Sequence, residues 1–227
     1  MSNFTTWRSL VDGEEIGAIP DSVVNRYSSS ALDLNDGATV DPWPDEVGSV
    51  DLPAEASPTY DETKNAVVTV REDGDGFVVN NLGASAPVTL VFALTIESFS
   101  GIATIYREGS DEELLLREDA NEWFWGLDGQ VETGGSYFTG DAILTVLVDG
   151  SNRTFRLNGS DVISASSGTS AGVTVLNNGG LFKDVEDNRR ELPADHYEVA
   201  IHNERLSGSE LTDEEERVEE EAGFNVL

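Results

Sequence analysis

The chain predicts an all-β fold, two antiparallel sheets packed as a sandwich, closed by one short C-terminal α-helix. Three observations carry that expectation. About a dozen short stretches either alternate apolar and polar side chains or run apolar throughout, as half-buried and fully buried strands do. Glycine-containing turn signals separate them at close spacing. Helical periodicity is confined to the stretch after residue 206, which excludes an alternating βα pattern. At 227 residues the chain suits one large all-β unit, since such units reach roughly 200 to 250 residues.

Residues 1 to 35 disperse Trp7, Leu10, Val11 and Ile16 among polar residues and hold a candidate first strand at 23 to 27. They read as a lead-in or assembly segment before a sandwich domain at 36 to 227. Residues 36 to 58 carry Gly37, Pro42, Pro44, Gly48, Pro53 and Pro58, so a long irregular connection is expected, with Trp43 as its anchor. Strands follow at 66 to 71 and 77 to 80, joined by Asp73-Gly74-Asp75-Gly76. The run at 88 to 96 is apolar almost throughout and reads as a central strand buried on both faces. Hairpin strands are expected at 102 to 107, 113 to 117 and 122 to 127, the last turning at Asp128-Gly129. A second core strand spans 142 to 149, and Asp149-Gly150 and Asn158-Gly159 bracket another at 153 to 157. A short strand at 173 to 176 leads to an Asn177-Asn178-Gly179-Gly180 turn and an irregular charged segment.

The chain closes on a strand and a helix. From His196 to Asn203 side chains alternate, placing Tyr197, Val199 and Ile201 on one face. Ser207 and Glu210 have the spacing of a capping box, and Leu206 and Leu211 that of a hydrophobic staple. Leu211, Val218 and Ala222 form a narrow apolar stripe; Asp213, Glu214, Glu216, Glu219, Glu220 and Glu221 are expected to coat the remainder, and Gly223 to stop the helix.

This strand, its link and the helix resemble the closing segment of the concanavalin A-like, laminin-G-like jelly rolls. Trp43 with Asp45 and Gly48-Ser49 looks like that family's lead-in loop. Residues 65 to 79 resemble its first long hairpin, and Phe155-Arg156-Leu157-Asn158-Gly159 its strand-and-turn. The resemblance covers roughly residues 30 to 225 in order and implies a two-sheet jelly roll. The family's functions are diverse, so fold alone assigns none.

Composition restricts the partners. The 44 acidic and 13 basic residues leave a formal charge of −31. Such self-repulsion opposes compaction in dilute buffer, whereas near-molar salt shortens screening to about 3 Å, so a halophilic origin is expected. The longest basic run is Arg189-Arg190, which excludes nucleic acid and anionic membranes as partners. Cysteine is absent, which removes disulfides, thiol nucleophiles and thiolate metal sites. The first residues lack a basic and apolar leader, so no secretion signal is expected, and no stretch is long enough to span a membrane.

Catalysis is not expected. A glycosidase needs two carboxylates about 5 to 10 Å apart, and no strand carries alternating acids. Glu122 stands alone, and Asp184, Glu186 and Asp187 fall in a loop-like segment. His196 and His202 would lie about 20 Å apart along one strand face, too far to share a metal or a serine, and no nucleophile elbow occurs. Asp36, Asp73 and Asp75 could offer oxygens to calcium, but turn chemistry accounts for them, so no cofactor is assigned. Trp123 and Trp125 share a strand face and have two readings: core residues, or a stacking platform for sugar rings.

These features point to a non-enzymatic structural or binding module. The first expectation is a virion surface component of a halophilic virus, such as a capsid decoration, turret or tail-adhesion protein, partnered by other virion proteins or by itself as a symmetric homo-oligomer. The alternative is a carbohydrate-binding, lectin-like module of a halophilic archaeon, with cell-surface glycan as partner.

Overall fold

The computed structural model describes residues 10, 11, 14, 15, 19 to 71, 73 to 80, 82, 84 to 108, 112 to 127, 130 to 150, 152 to 165, 174, 175, 178 to 184 and 190 to 227. Trp7, Ile16, the Asp128-Gly129 turn, Asn177, Glu186, Asp187 and Arg189 lie outside the described residues.

In chain order the strands are β1 (Leu10–Val11), β2 (Glu14–Glu15), β3 (Val23–Ser28), β4 (Ala54–Glu55), β5 (Thr59–Asp61), β6 (Ala66–Thr69), β7 (Gly76–Asn80), β8 (Ala84–Ser85) and β9 (Val88–Ile96). They continue with β10 (Ile102–Glu108), β11 (Glu112–Arg117), β12 (Glu122–Leu127), β13 (Gln130–Gly134), β14 (Gly140–Asp149), β15 (Asn152–Leu157) and β16 (Ser160–Ala165). Last come β17 (Thr174–Val175), β18 (Asn178–Leu181) and β19 (Ala194–His202), before helix α1 (Gly208–Ala222).

The expected sandwich forms. One antiparallel sheet has the order β13-β12-β11-β10-β18-β7-β4, and the other β16-β15-β14-β9-β19-β6-β5, with β3 also paired to β19. The core lies between them. Leu90, Phe92, Leu94 and Ile96 of β9 meet Phe77, Leu116 and Trp123 of the facing sheet in one apolar cluster. Helix α1 crosses the outer face of the second sheet, where Val218 closes over Val91, Ala93 and Ile143. That second contact explains why β9 is apolar on both faces. Trp43 is fully buried, 5.3 Å from Phe77 and 6.2 Å from Tyr27, and so anchors the long loop as expected.

Four sequence expectations need correction or extension. Asn178, Gly179 and Gly180 form a strand between β10 and β7, not a turn; hydrogen-bonding neighbours on both sides override the glycines' weak strand preference. Within the 1 to 35 lead-in, β3 pairs with the second half of β19. Ser207 occupies the helix N-cap with extended backbone but makes no side-chain cap bond, so the capping box is unmade. Leu206 and Leu211 do meet, together with Leu147, and Gly223 ends the helix at φ 70°.

The fourth concerns β19. Its pairing with β9 shifts between His196 and Glu198, a bulge that leaves Tyr197 unpaired. Beyond it the facing reverses. His196 points into the core with Val199 and Ile201, while Tyr197, Glu198 and His202 face the helix side. The two histidines therefore lie on opposite faces, not on one.

Candidate functional site

A cavity of about 380 Å³ opens where α1 leans over the end of the second sheet. One wall is the Pro20-Asp21-Ser22 turn and the base is Glu204 and Leu206. The other wall is one helix stripe, Glu210, Asp213, Glu214 and Arg217, spaced i, i+3, i+4 and i+7. The frame is fixed from below. Thr89 Oγ1 donates to the Glu204 carbonyl at 2.8 Å and accepts from Leu206 N at 2.9 Å, and Asn203 N donates to the Ser22 carbonyl at 3.1 Å.

Beneath this wall runs a buried polar chain. Ser22 Oγ lies 2.9 Å from His202 Nδ1, and His202 Nε2 lies 3.1 Å from Glu214 Oε1. An ionised carboxylate only accepts, so Nε2 carries a proton and, in a neutral ring, Nδ1 accepts from the serine. Glu214 also receives Arg217 Nε and Nη2, each at 2.8 Å, while Nη2 reaches Glu198 Oε1 at 2.5 Å. Arg26 binds the other side of Glu198 through two bonds of 3.0 Å and reaches Glu46 at 2.6 Å and Glu221 at 3.4 Å.

Burial raises the Glu214 pKa, but the bonds from Arg217 and His202 outweigh it and hold the group down at about 2. Glu198 is lowered by the same balance, burial against the Arg217 and Arg26 charges. Arg217 is raised, because Glu198 and Glu214 overcome its desolvation.

Several expectations fall into place against this geometry. Glu214 is buried at 1% exposure and does not belong to the solvated coat. His202 does have a serine beside it, from a turn 180 residues away; no local elbow is needed, which is why the sequence concealed it. His196 lies in the core, stacked 3.7 Å from Phe182 and 2.8 Å from Thr69 Oγ1, and takes no part. Trp123 and Trp125 are 0% and 4% exposed. Trp123 packs 4.6 Å from Phe155, and the Arg153 guanidinium lies 5.7 Å from the Trp125 ring. Both tryptophans follow the core reading.

Four of the other candidate acids, Glu122, Asp184, Asp75 and Asp36, are held by structural partners. Glu122 pairs with Arg117 at 3.1 Å, and Asp184 with Arg107 at 2.5 Å and Arg190 at 3.4 Å. Asp75 accepts from the amides of Ser57 and Val70, and Asp36 from that of Glu62. Among the described residues no three histidine or carboxylate side chains converge as a metal-binding set. Among them also, no helix is long and apolar enough to cross a membrane.

The one signal that could have revealed the cleft is Arg217, the single basic residue of an otherwise acidic helix, three positions from Glu214 and seven from Glu210.

The fold is a two-sheet antiparallel β-sandwich with one C-terminal helix, and the cleft lies where that helix meets the second sheet. No protein-family model matches the chain, and no curated protein matches it. Solved structures do. Trypanosoma rangeli sialidase in complex with sialic acid matches over 96% of this chain and 36% of its own, at 13% identity and a TM-score of 0.65. Domain 4 of an extracellular arabinanase from Geobacillus stearothermophilus, in complex with arabinotriose, matches over 85% of this chain and 97% of its own, at 15% identity and a TM-score of 0.56. A botulinum neurotoxin type C structure, described as entering cells through two ganglioside molecules, matches over 87% and 51%, at 13% identity and a TM-score of 0.60. The likeness is one of fold. The chain spans about a third of the sialidase's length.

Proposed function

We propose that this chain is a non-catalytic carbohydrate-binding module whose sugar site is the cleft beside α1. The observation that carries the proposal is the cleft itself. Hydroxyl-rich ligands need donors and acceptors placed together over a partly apolar floor, and Arg217, Ser22 and the carboxylates of Glu210 and Asp213 stand around Leu206 and Pro20 in that way. The neighbours support the same theme. The arabinanase domain, matched along nearly its whole length, holds arabinotriose, and the toxin depends on gangliosides. Attachment to a virion surface draws no support from the fold or its neighbours, so the proposal is confined to the module.

A glycan microarray, followed by calorimetry on the best ligand, tests this. Asp213 is exposed on the helix and lines the cleft, so Asp213→Trp fills the mouth without entering the core. Binding should fall at least tenfold in that variant while its circular dichroism is unchanged. Binding that survives the substitution would move the site elsewhere, and an array with no bound glycan would remove the function.

A further inference from the structure

We infer that the cleft takes neutral sugars through their hydroxyl pairs and turns away sialylated ones; this rests on the glycan-binding reading above. Two features of the wall lead there. The first is an unspent donor. A guanidinium has five N–H groups, and the bonds of Arg217 use Nε and Nη2. Its Nη1 has no partner among the described residues, although the side chain is only 5% exposed and lines the cleft. Held rigidly by Glu198 and Glu214, this edge can donate to a sugar oxygen at little cost in side-chain freedom.

The second feature is the sign of the charge around that donor. Arg26 and Arg217 are shared among Glu46, Glu198, Glu214 and Glu221, two guanidiniums against four carboxylates. At the rim, Asp21, Glu204, Glu210 and Asp213 are exposed and add four more. A lone arginine often marks a carboxylate site, because its charge is free to pair. Here that charge is already overmatched, so a sialic acid carboxylate would lose water to face like charges. A neutral sugar meets the opposite situation. Its hydroxyls donate to the rim carboxylates, accept from Arg217 Nη1, and bring no charge to be repelled. Selectivity then comes from repulsion of the wrong ligand as much as from attraction of the right one.

The experiment is a microarray of paired glycans, each neutral oligosaccharide printed beside the same structure capped with sialic acid. It is read at the lowest salt that preserves the circular dichroism of the protein, because screening narrows the contrast. Neutral members should bind at least tenfold more tightly than their capped partners. The double variant Glu210→Gln with Asp213→Asn, two exposed helix positions, should narrow that ratio about threefold or more by raising the sialylated arm. Sialylated members binding as well as or better than neutral ones would overturn the inference and leave glycan binding intact. A ratio unchanged by the double variant would overturn it too. No binding in either arm would remove the glycan reading and this inference together.

Discussion

His196 is a fully buried imidazole with one hydrogen-bonding contact, to Thr69, and burial lowers its pKa to about 3. The unfolded value is near 6.5, so between about pH 3 and 6.5 the unfolded chain binds a proton that the folded chain refuses. The sign follows directly. Stability from this group is fully present above pH 6.5 and is lost as the pH falls, by up to about 1.4 kcal/mol per unit. Urea denaturation of the parent and of His196→Leu at pH 4, 5 and 6 should show the variant's slope shallower by about one proton. Equal slopes would mean that the ring is hydrated or charged in the folded state. The sequence showed a histidine in a strand but not its surroundings, because Phe182 and Thr69 reach it from segments 14 and 127 residues away.

At the scale of elements, β19 and α1 meet through charge as well as through apolar contact. Glu198 and Arg217 are 0% and 5% exposed at their side chains, and each is held by the other plus one further partner. Removing one member of such a buried set leaves the rest uncompensated, at a cost of about 3 to 5 kcal/mol. Arg217→Met should therefore lower the unfolding free energy from urea denaturation by that amount, whereas Glu216→Gln, exposed on the same helix, should change it by less than about 0.5 kcal/mol. A small effect at Arg217 would show that water enters beneath the helix. Much of this region was legible: the strand, the helix, its apolar stripe, the Leu206–Leu211 contact and the Gly223 stop all follow from local pattern. What was hidden has one physical source. Period-two reasoning assumes an unbroken ladder, and the bulge at Tyr197 exchanges the faces of every later residue. That exchange sends Glu198 and His202 under the helix, where they draw in Arg217 and also Glu214, which helical periodicity alone assigned to solvent.

The whole molecule carries a formal charge of −31, and among the described residues most of the acids are not buried, so much of the repulsion is at the surface. Screening acts where solvent reaches. The length over which surface charges interact falls from about 10 Å at 0.1 M salt to about 3 Å at 1 M. Pairs such as Glu198 with Arg217 are shielded from that change, so salt should remove the penalty without dissolving the clamp. The expected outcome is a melting temperature that climbs steeply between 0.1 and 1 M KCl and more slowly above it, where only ion exclusion from the surface still strengthens apolar burial. Sodium sulfate at the same ionic strength should add to the second phase more than to the first, since sulfate acts mainly through that exclusion. A melting temperature flat from 0.1 to 1 M would mean that the surface charges are too far apart to matter. The halophilic expectation drawn from composition would then fall, while the sandwich, which depends on the apolar pattern and not on the charge, would stand.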